Sequence, residues 1–261
     1  MNINTESYDS DNRISTALLL AAGTGSRLFP ITKDAPKCLT LVSDTSILER
    51  LVANLKKQGF KRLVIVTGYK GDCIVDFLGS QTGDLSIEYI HNPLYKTTNN
   101  IYSLWMARNT INEPFVLLES DLVLENSLLS QMMYPDRMAV AKMQPWLNGT
   151  TVTINKDNLV TQFQPGTIEN YTDIRYKTVN IYSFSLSSWR AVSKKLNQYI
   201  TEGSVNSYYE IVFSKLVAEK NLFLEAISFD AQPWYEIDTI ADLAEAEKLF
   251  PLVASKEVIF S

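Results

Sequence analysis

The sequence predicts an α/β fold: a single domain on a mixed, mostly parallel central sheet, with a β-rich insertion in its second half. Three observations predict it. Continuous apolar runs at Ala17–Ala22, Leu63–Val66 and Pro114–Leu118 read as strands buried on both faces. Stretches with apolar residues at helical spacing separate them, and such a series returns parallel strands through right-handed crossovers. From Thr150 the pattern changes to alternation, Thr150–Asn155 and Leu159–Phe163 around Lys156-Asp157, as in a hairpin. No Pro/Gly/Ser-rich linker intervenes, so the hairpin is expected on the shared core.

The elements follow in order. Residues 1–15 are polar, lack the apolar centre of a signal peptide, and read as a flexible extension. The first strand, Ala17–Ala22, breaks at Gly23-Thr24-Gly25. Asp44-Thr45-Ser46 offers helix N-caps, and Ile47, Leu48, Leu51, Val52 and Leu55 recur at helical spacing until Gly59. Leu63–Val66 leads into Thr67-Gly68-Tyr69, then a short helix near Asp72–Leu78 and a strand near Ile87–Ile90. Asn99 and Asn100 stand at the head of a helix running to Arg108, with Ile101, Leu104 and Trp105 on one face. The third apolar strand runs into Glu119-Ser120-Asp121. A helix at Asn126–Met133, strands at Met138–Lys142 and Val179–Phe184, and helices at Ser187–Ile200 and Ser207–Lys220 come next. A strand at Leu222–Phe229 precedes Trp234–Asp238, and Thr239 is placed to cap a last helix through Phe250.

In such a sheet, ligands bind beyond the carboxyl ends of the strands. The glycines at Gly23 and Gly25 let the backbone turn sharply there and present N–H groups, a geometry that suits a polyphosphate. Arg27 and Lys37 add positive charge, and Pro30 and Pro36 stiffen the approach to Lys37. The dinucleotide fingerprint fails because Leu28 stands where its third glycine belongs, and the Walker loop is absent. A carboxylate just past a buried strand, Asp121, points at the same edge. Asp238 is a second carboxylate there unless it merely caps the last helix.

Composition narrows the chemistry further. The 261 residues are 46% hydrophobic and 20% charged, as in a globular enzyme. A net charge of −5 disfavours a general partner for nucleic acid or an anionic membrane. His91 is the sole histidine and Cys38 and Cys73 the only cysteines, so neither a Cys/His zinc cluster nor a Ser-His-Asp triad can be assembled. The cysteines read as free thiols in a reducing compartment. No run approaches the ~18 apolar residues of a membrane span, and the expected location is the cytoplasm.

From Leu20 to Lys37 the chain resembles the nucleotidyltransferase motif L-A-A-G-x-G-x-R-x-x-P-x-T-x-x-x-P-K, with every fixed position present. Together with Thr67-Gly68-Tyr69, Thr98–Leu104, Glu119–Asp121 and Trp234–Asp238, it is similar to the small cytidylyltransferases that activate phosphocholine or 2-aminoethylphosphonate. The resemblance implies a single Rossmann-like domain at 16–255, with a nucleotide-binding half at about 16–142 and an acceptor-binding half at about 143–255. It implies CTP as donor and Mg²⁺ on Asp121 and Asp238, an ion that takes oxygen ligands and few protein carboxylates. Lys37 and Arg27 become the catalytic cations, on the α-phosphate and on the leaving pyrophosphate respectively. Nucleotide contacts are expected from Leu20, Ala21, Ala22, Gly23, Thr24, Gly25, Ser26, Arg27, Lys37, Gly68, Tyr69, Asn99, Asn100 and Ser120.

A phosphate or phosphonate acceptor is already largely ionised near neutrality, so no protein base is required. An amine at its other end would need carboxylates or aromatic faces. Tyr102, Tyr182, Tyr209, Glu210 and Glu236 are the acceptor-side candidates, within an aromatic supply that includes Trp146 and Tyr171. The sugar-1-phosphate branch of the superfamily is the alternative substrate class. Thr-Thr-Asn-Asn-Ile-Tyr stands where that branch usually has a Gln-rich, Gly-containing segment. A nucleotide-binding module without turnover is the alternative of another class. The oligomeric state is not legible.

Overall fold

The computed structural model describes residues 13–144, 147–164 and 174–252. Of the expected extension at 1–15, residues 1–12 lie outside the described residues, as do Trp146, Tyr171 and 253–255 of the expected domain; Ile14 is buried, its N–H donating to the Met133 carbonyl at 2.8 Å. In chain order the first half comprises β1 (Thr16–Ala21), β2 (Leu41–Val42), β3 (Thr45–Ser46), α1 (Ile47–Lys57), β4 (Arg62–Thr67), α2 (Gly71–Leu78), β5 (Gln81–Thr82), β6 (Leu85–His91), α3 (Asn100–Met106), β7 (Phe115–Glu119), β8 (Leu122–Leu124), α4 (Asn126–Gln131) and β9 (Arg137–Lys142). The second adds β10 (Thr151–Ile154), β11 (Val160–Gln164), β12 (Tyr176–Phe184), α5 (Leu186–Thr201), α6 (Glu210–Ala218), β13 (Glu225–Ser228), β14 (Trp234–Glu236) and α7 (Ile240–Leu249).

The main sheet has the order β11-β10-β12-β7-β1-β4-β6-β5, with β9 beside β12 and β13 beside β9. Its centre, β7-β1-β4-β6, is parallel, as the apolar runs require. The hairpin β10–β11 joins antiparallel through β12. The sheet is continuous through this β-rich half, which extends the shared core.

Alternation along β1 divides the interior. Ala17, Leu19 and Ala21 face one core with Leu48, Leu51, Ile74 and Leu128. Leu18 and Leu20 face the other with Ile101, Leu104, Trp189 and Phe213. Each large apolar side chain so buried contributes about 1.5–3 kcal/mol. A third, smaller core joins Leu28 of the glycine loop, Val123 of β8, Ile237, and Ala246 of α7.

Helix starts follow the expected caps. The Ser46 hydroxyl accepts from the Glu49 N–H at 3.1 Å, and Thr239 forms a reciprocal capping box with Asp242. Strand β12 begins at Tyr176, ahead of the expected Val179. Asn180, in the left-handed region at φ 60°, interrupts its register. The strand pairs with β9 and β10 before this kink, then with β7 and β9 after it. The side-chain alternation is broken at the same place, which hid the strand's first half in the sequence.

Candidate active site

Parallel register sets the position of the site. Ala21 lies opposite Thr67 and Leu20 opposite Glu119, so β1, β4 and β7 end together at one edge. The Gly23–Arg27 loop leaves β1 there. Gly25 adopts φ 61°, and a Cβ on it would come within 3.0 Å of Lys37 Cβ and Thr32 Cγ2. Only glycine combines that backbone with that approach. Gly68 is equally constrained, because a Cβ would meet the Ala22 carbonyl oxygen at 2.6 Å. The absence of a side chain lets the Tyr69 N–H donate to that carbonyl at 3.1 Å.

Asp121 and Asp238, distant in sequence, meet through β8 and β14. These strands pair antiparallel, with Glu236 opposite Leu122, and the Ile237 N–H donates to the Asp121 carbonyl at 2.9 Å. The two carboxylates then share one ammonium: Lys37 Nζ donates to Asp121 Oδ2 at 2.9 Å and to Asp238 Oδ1 at 2.7 Å. Arg27 reaches the same Asp238 oxygen at 2.7 Å from its exposed position. Burial pulls the Lys37 ammonium down, but Asp121 and Asp238 outweigh it, and its pKa is held above the ordinary lysine value. Asp238 does not cap α7. Thr239 does that, which frees the Asp238 side chain for the lysine.

A cleft of about 310 Å³ opens over this centre, walled on one side by Gly23, Gly25, Ser26 and Arg27. Its far side is acidic, with Glu119, Glu210 and Glu236. Burial lifts Glu210 to about 7, helped by Glu236 and opposed by Lys177. Glu119 is raised well above the carboxylate range, by burial first and then by the charges of Asp121 and Glu210. Glu210 Oε2 is buried with no hydrogen-bond partner. Asp121 Oδ1 is likewise buried and unpartnered. Two carboxylates on one cation, with a bare oxygen beside it, form a donor set that suits a hard divalent ion such as Mg²⁺.

The cleft lining includes Leu20, Ala22, Gly23, Gly25, Ser26, Arg27, Lys37, Asn99, Asn100, Ser120, Asp121, Glu210, Glu236 and Asp238 of the expected residues. The structure places the other expected residues elsewhere. Tyr182 and Tyr209 are fully buried, ring against ring, in the core beneath the cleft. Tyr208 lines the cleft in their place. Tyr102 packs against Trp105, the rings tilted by 39° with centroids 5.1 Å apart, and is not among the residues that line the cleft. Ala21 is buried below it and Thr24 is exposed outside it. Gly68 and Tyr69 support the loop from behind, the Tyr69 hydroxyl donating to the Thr32 and Lys33 carbonyls. Asn100 lines the cleft, but its amide is engaged within the protein: Nδ2 donates to Glu119 Oε1 at 3.2 Å and Oδ1 accepts from the Tyr209 N–H at 3.0 Å.

Sequence reasoning missed Asn92, Tyr95, Thr98, Ser103, Glu119 and Asn180, all of which line the cleft. It also missed Lys177, buried on β12 and paired with Glu236 at 3.1 Å. Glu119 carried a usable signal, because it ends an apolar strand immediately before Ser120-Asp121.

The family model for nucleotidyl transferases matches residues 16–175. The chain belongs to the nucleotidyl transferase family. Among relatives of this transferase, CMP-5'-(3-aminopropyl)phosphonate synthase of Streptomyces rubellomurinus is 28% identical over 90% of the chain, which spans only 38% of that longer protein. Choline-phosphate cytidylyltransferase of Streptococcus pneumoniae is 23% identical over 89% of the chain and 97% of the relative. CTP:phosphoglutamine cytidylyltransferase of Campylobacter jejuni is 24% identical over 87% of the chain and 97% of the relative. The solved structure of the CTP:phosphocholine cytidylyltransferase from S. pneumoniae shares the transferase's fold, with a TM-score of 0.77 at 20% identity, covering 91% of this chain and 99% of that one. No helix among the described residues is long and apolar enough to cross a membrane. Cys38 and Cys73 are free thiols, and burial pushes Cys38 up to about 12.

Proposed function

We propose that this transferase is a cytidylyltransferase, moving CMP from CTP to the phosphate or phosphonate of a small amine-bearing acceptor and releasing pyrophosphate. The observation that carries the reading is the Lys37 ammonium bridging Asp121 and Asp238, with a phosphate-cradling loop on one side and three carboxylates on the other. The acceptor oxyanion forms a bond to the α-phosphorus as the bond to the bridging oxygen of pyrophosphate breaks. Lys37 holds the α-phosphate and the acceptor oxygens in line. Arg27 and the loop amides hold the departing phosphates. Asp121 and Asp238 would hold Mg²⁺, which when bound supplies charge neutralisation at the phosphates.

No general base is needed for an acceptor that arrives ionised, which accords with a site containing no histidine. The acidic wall favours an ammonium over an uncharged sugar hydroxyl. The relatives matched over nearly their whole length carry cytidylyltransferase names, which supports CTP as donor. Asn100 has both ends of its amide engaged, and Asn99 Oδ1 already accepts from the Asn100 N–H at 2.8 Å, so the second lone pair of Asn99 Oδ1 is the amide acceptor left for the cytosine amino group. Nucleotide supply places the reaction in the cytoplasm. Pyrophosphate release tests this with CTP, UTP and ATP against phosphocholine, 2-aminoethylphosphonate and glucose 1-phosphate. CTP with an amine-bearing acceptor is expected to be fastest. Equal use of UTP would defeat the base assignment, and equal use of glucose 1-phosphate would transfer the protein to the sugar branch.

A further inference from the structure

Helix α6 brings Glu210 to the reaction cleft as its first residue, yet its own sequence supplies no cap. The N-cap position is Tyr209, whose side chain makes no capping hydrogen bond. The Tyr209 ring is instead fully buried against Tyr182 and Phe213, with ring centroids 5.8 and 5.0 Å away. The next residue, Glu210, lines the cleft, and its Oε2 is buried without a partner.

The anchor for this turn comes from a different element. Asn100, the first residue of α3 and 109 positions earlier, accepts the Tyr209 N–H on Oδ1 at 3.0 Å. A backbone N–H can only donate, so it fixes which end of the amide faces α6. The other end, Nδ2, donates to Glu119 Oε1 at 3.2 Å, where β7 ends. Asn99 caps α3, which leaves the Asn100 amide to work outside its own helix. The Asn99 N–H also donates to the Val205 carbonyl at 3.0 Å, in the connection from α5 to α6. The start of α3 therefore grips that connection at two points, and Tyr208 between them lines the cleft. The first N–H groups of a helix have no partner within it, and a helix end without a cap frays. Glu210 belongs to that first turn. We propose that Asn100 is a positioning residue for the acceptor: by holding the Tyr209 N–H it sets where α6 begins, and so where the Glu210 carboxyl stands in the cleft. Its loss falls on acceptor binding and leaves nucleotide binding as it was. This rests on the reading of an amine-bearing acceptor against the acidic wall, and deepens it.

Calorimetry on the full chain gives two Kd values. One is for a CTP analogue with a methylene between its α- and β-phosphorus atoms, the other for 2-aminoethylphosphonate added with that analogue bound. Asn100→Ala is expected to weaken the amine about tenfold or more, the scale of one lost hydrogen bond to a charged group, and to leave the nucleotide within about twofold. In a Glu210→Gln background the same substitution should weaken the amine no further, because its effect runs through Glu210. Asn100→Asp keeps the oxygen that the Tyr209 N–H needs and should hold the amine within about threefold of wild type. It is also the variant to read if Asn100→Ala does not fold. Additive losses in the double mutant, a weakening confined to the nucleotide, or a tenfold loss of the amine in Asn100→Asp would each overturn the proposal. So would an amine that does not bind the wild-type protein, which removes the amine-bearing acceptor as well. CMP transfer is measured separately. The expected pattern of binding without transfer would uphold the role of Asn100 and sink the cytidylyltransferase reading instead.

Discussion

Lys37 is bonded to both Asp121 and Asp238, so changing either aspartate leaves its ammonium one counter-charge short, and changing Lys37 leaves Asp121 without its cation. Asp121→Ala and Asp238→Ala are each expected to lower turnover by about 10²–10³-fold, the scale of lost electrostatic stabilisation, with the circular dichroism spectrum unchanged. Near-normal pyrophosphate release in either variant would remove that residue from the chemistry. Chelation of divalent ions should abolish turnover and added Mg²⁺ restore it. Activity that persists after exhaustive chelation would end the metal assignment. Glu210 allows a pH prediction. Its carboxyl is raised to about 7 from the ordinary 4.5, so the folded state favours the neutral form. Its contribution to stability is complete below about pH 4.5 and is lost as pH rises through about 7. The melting temperature should therefore fall between pH 5 and pH 8 less steeply in Glu210→Gln than in the wild type; parallel curves would refute the shift.

At the scale of elements, the last helix positions the chemistry that precedes it. The Asp238 N–H donates to Asp242 Oδ2 at 3.1 Å, and the capping box therefore holds the backbone of Asp238 as well as starting α7. Thr239→Ala should destabilise the protein by about 1 kcal/mol in urea denaturation. It should also lower turnover severalfold, because Asp238 loses its fixed backbone. An unchanged rate would mean that the Lys37 and Arg27 contacts suffice to place it. This cap was legible, since Thr239 with Asp242 three residues on is a sequence signal. So was the first half of the sheet, where apolar runs and helical periods are uninterrupted. The bent strand β12 was only half legible, because the left-handed residue at Asn180 breaks the alternation that identifies strands. The acceptor wall was misread at Tyr182 and Tyr209 for a related reason. Composition supplies aromatic rings but not the face they occupy, and these two point into the core from elements whose other face lines the cleft. Lys177 carried no signal, because a lysine in a strand is ordinarily a solvated residue.

At the scale of the whole molecule, the small third core joins parts of the chain that the two larger cores leave separate. Leu28, Val123 and Ile237 are 0–1% exposed and come from the glycine loop, from β8 and from the segment between β14 and α7. Ile237→Ala should destabilise by about 2–5 kcal/mol, the range for a buried large-to-small change. Addition of CTP should recover part of that loss in a thermal melt, because ligand binding favours the folded state. A loss below about 0.5 kcal/mol, the usual bound for surface substitutions, would show that the three segments are held together by the larger cores alone.

The contacts of Lys37 span 84 and 201 positions of the chain. During synthesis from the amino terminus, the glycine loop and its lysine emerge long before their counter-charges exist. A nascent chain that has completed β1, β4 and β7 has the frame of the site but not its charge balance; Asp238 supplies that only once β14 and the residues after it have been made. The ion-paired centre thus closes only when segments made far apart in time have met, β1 and its loop first and the stretch after β14 last.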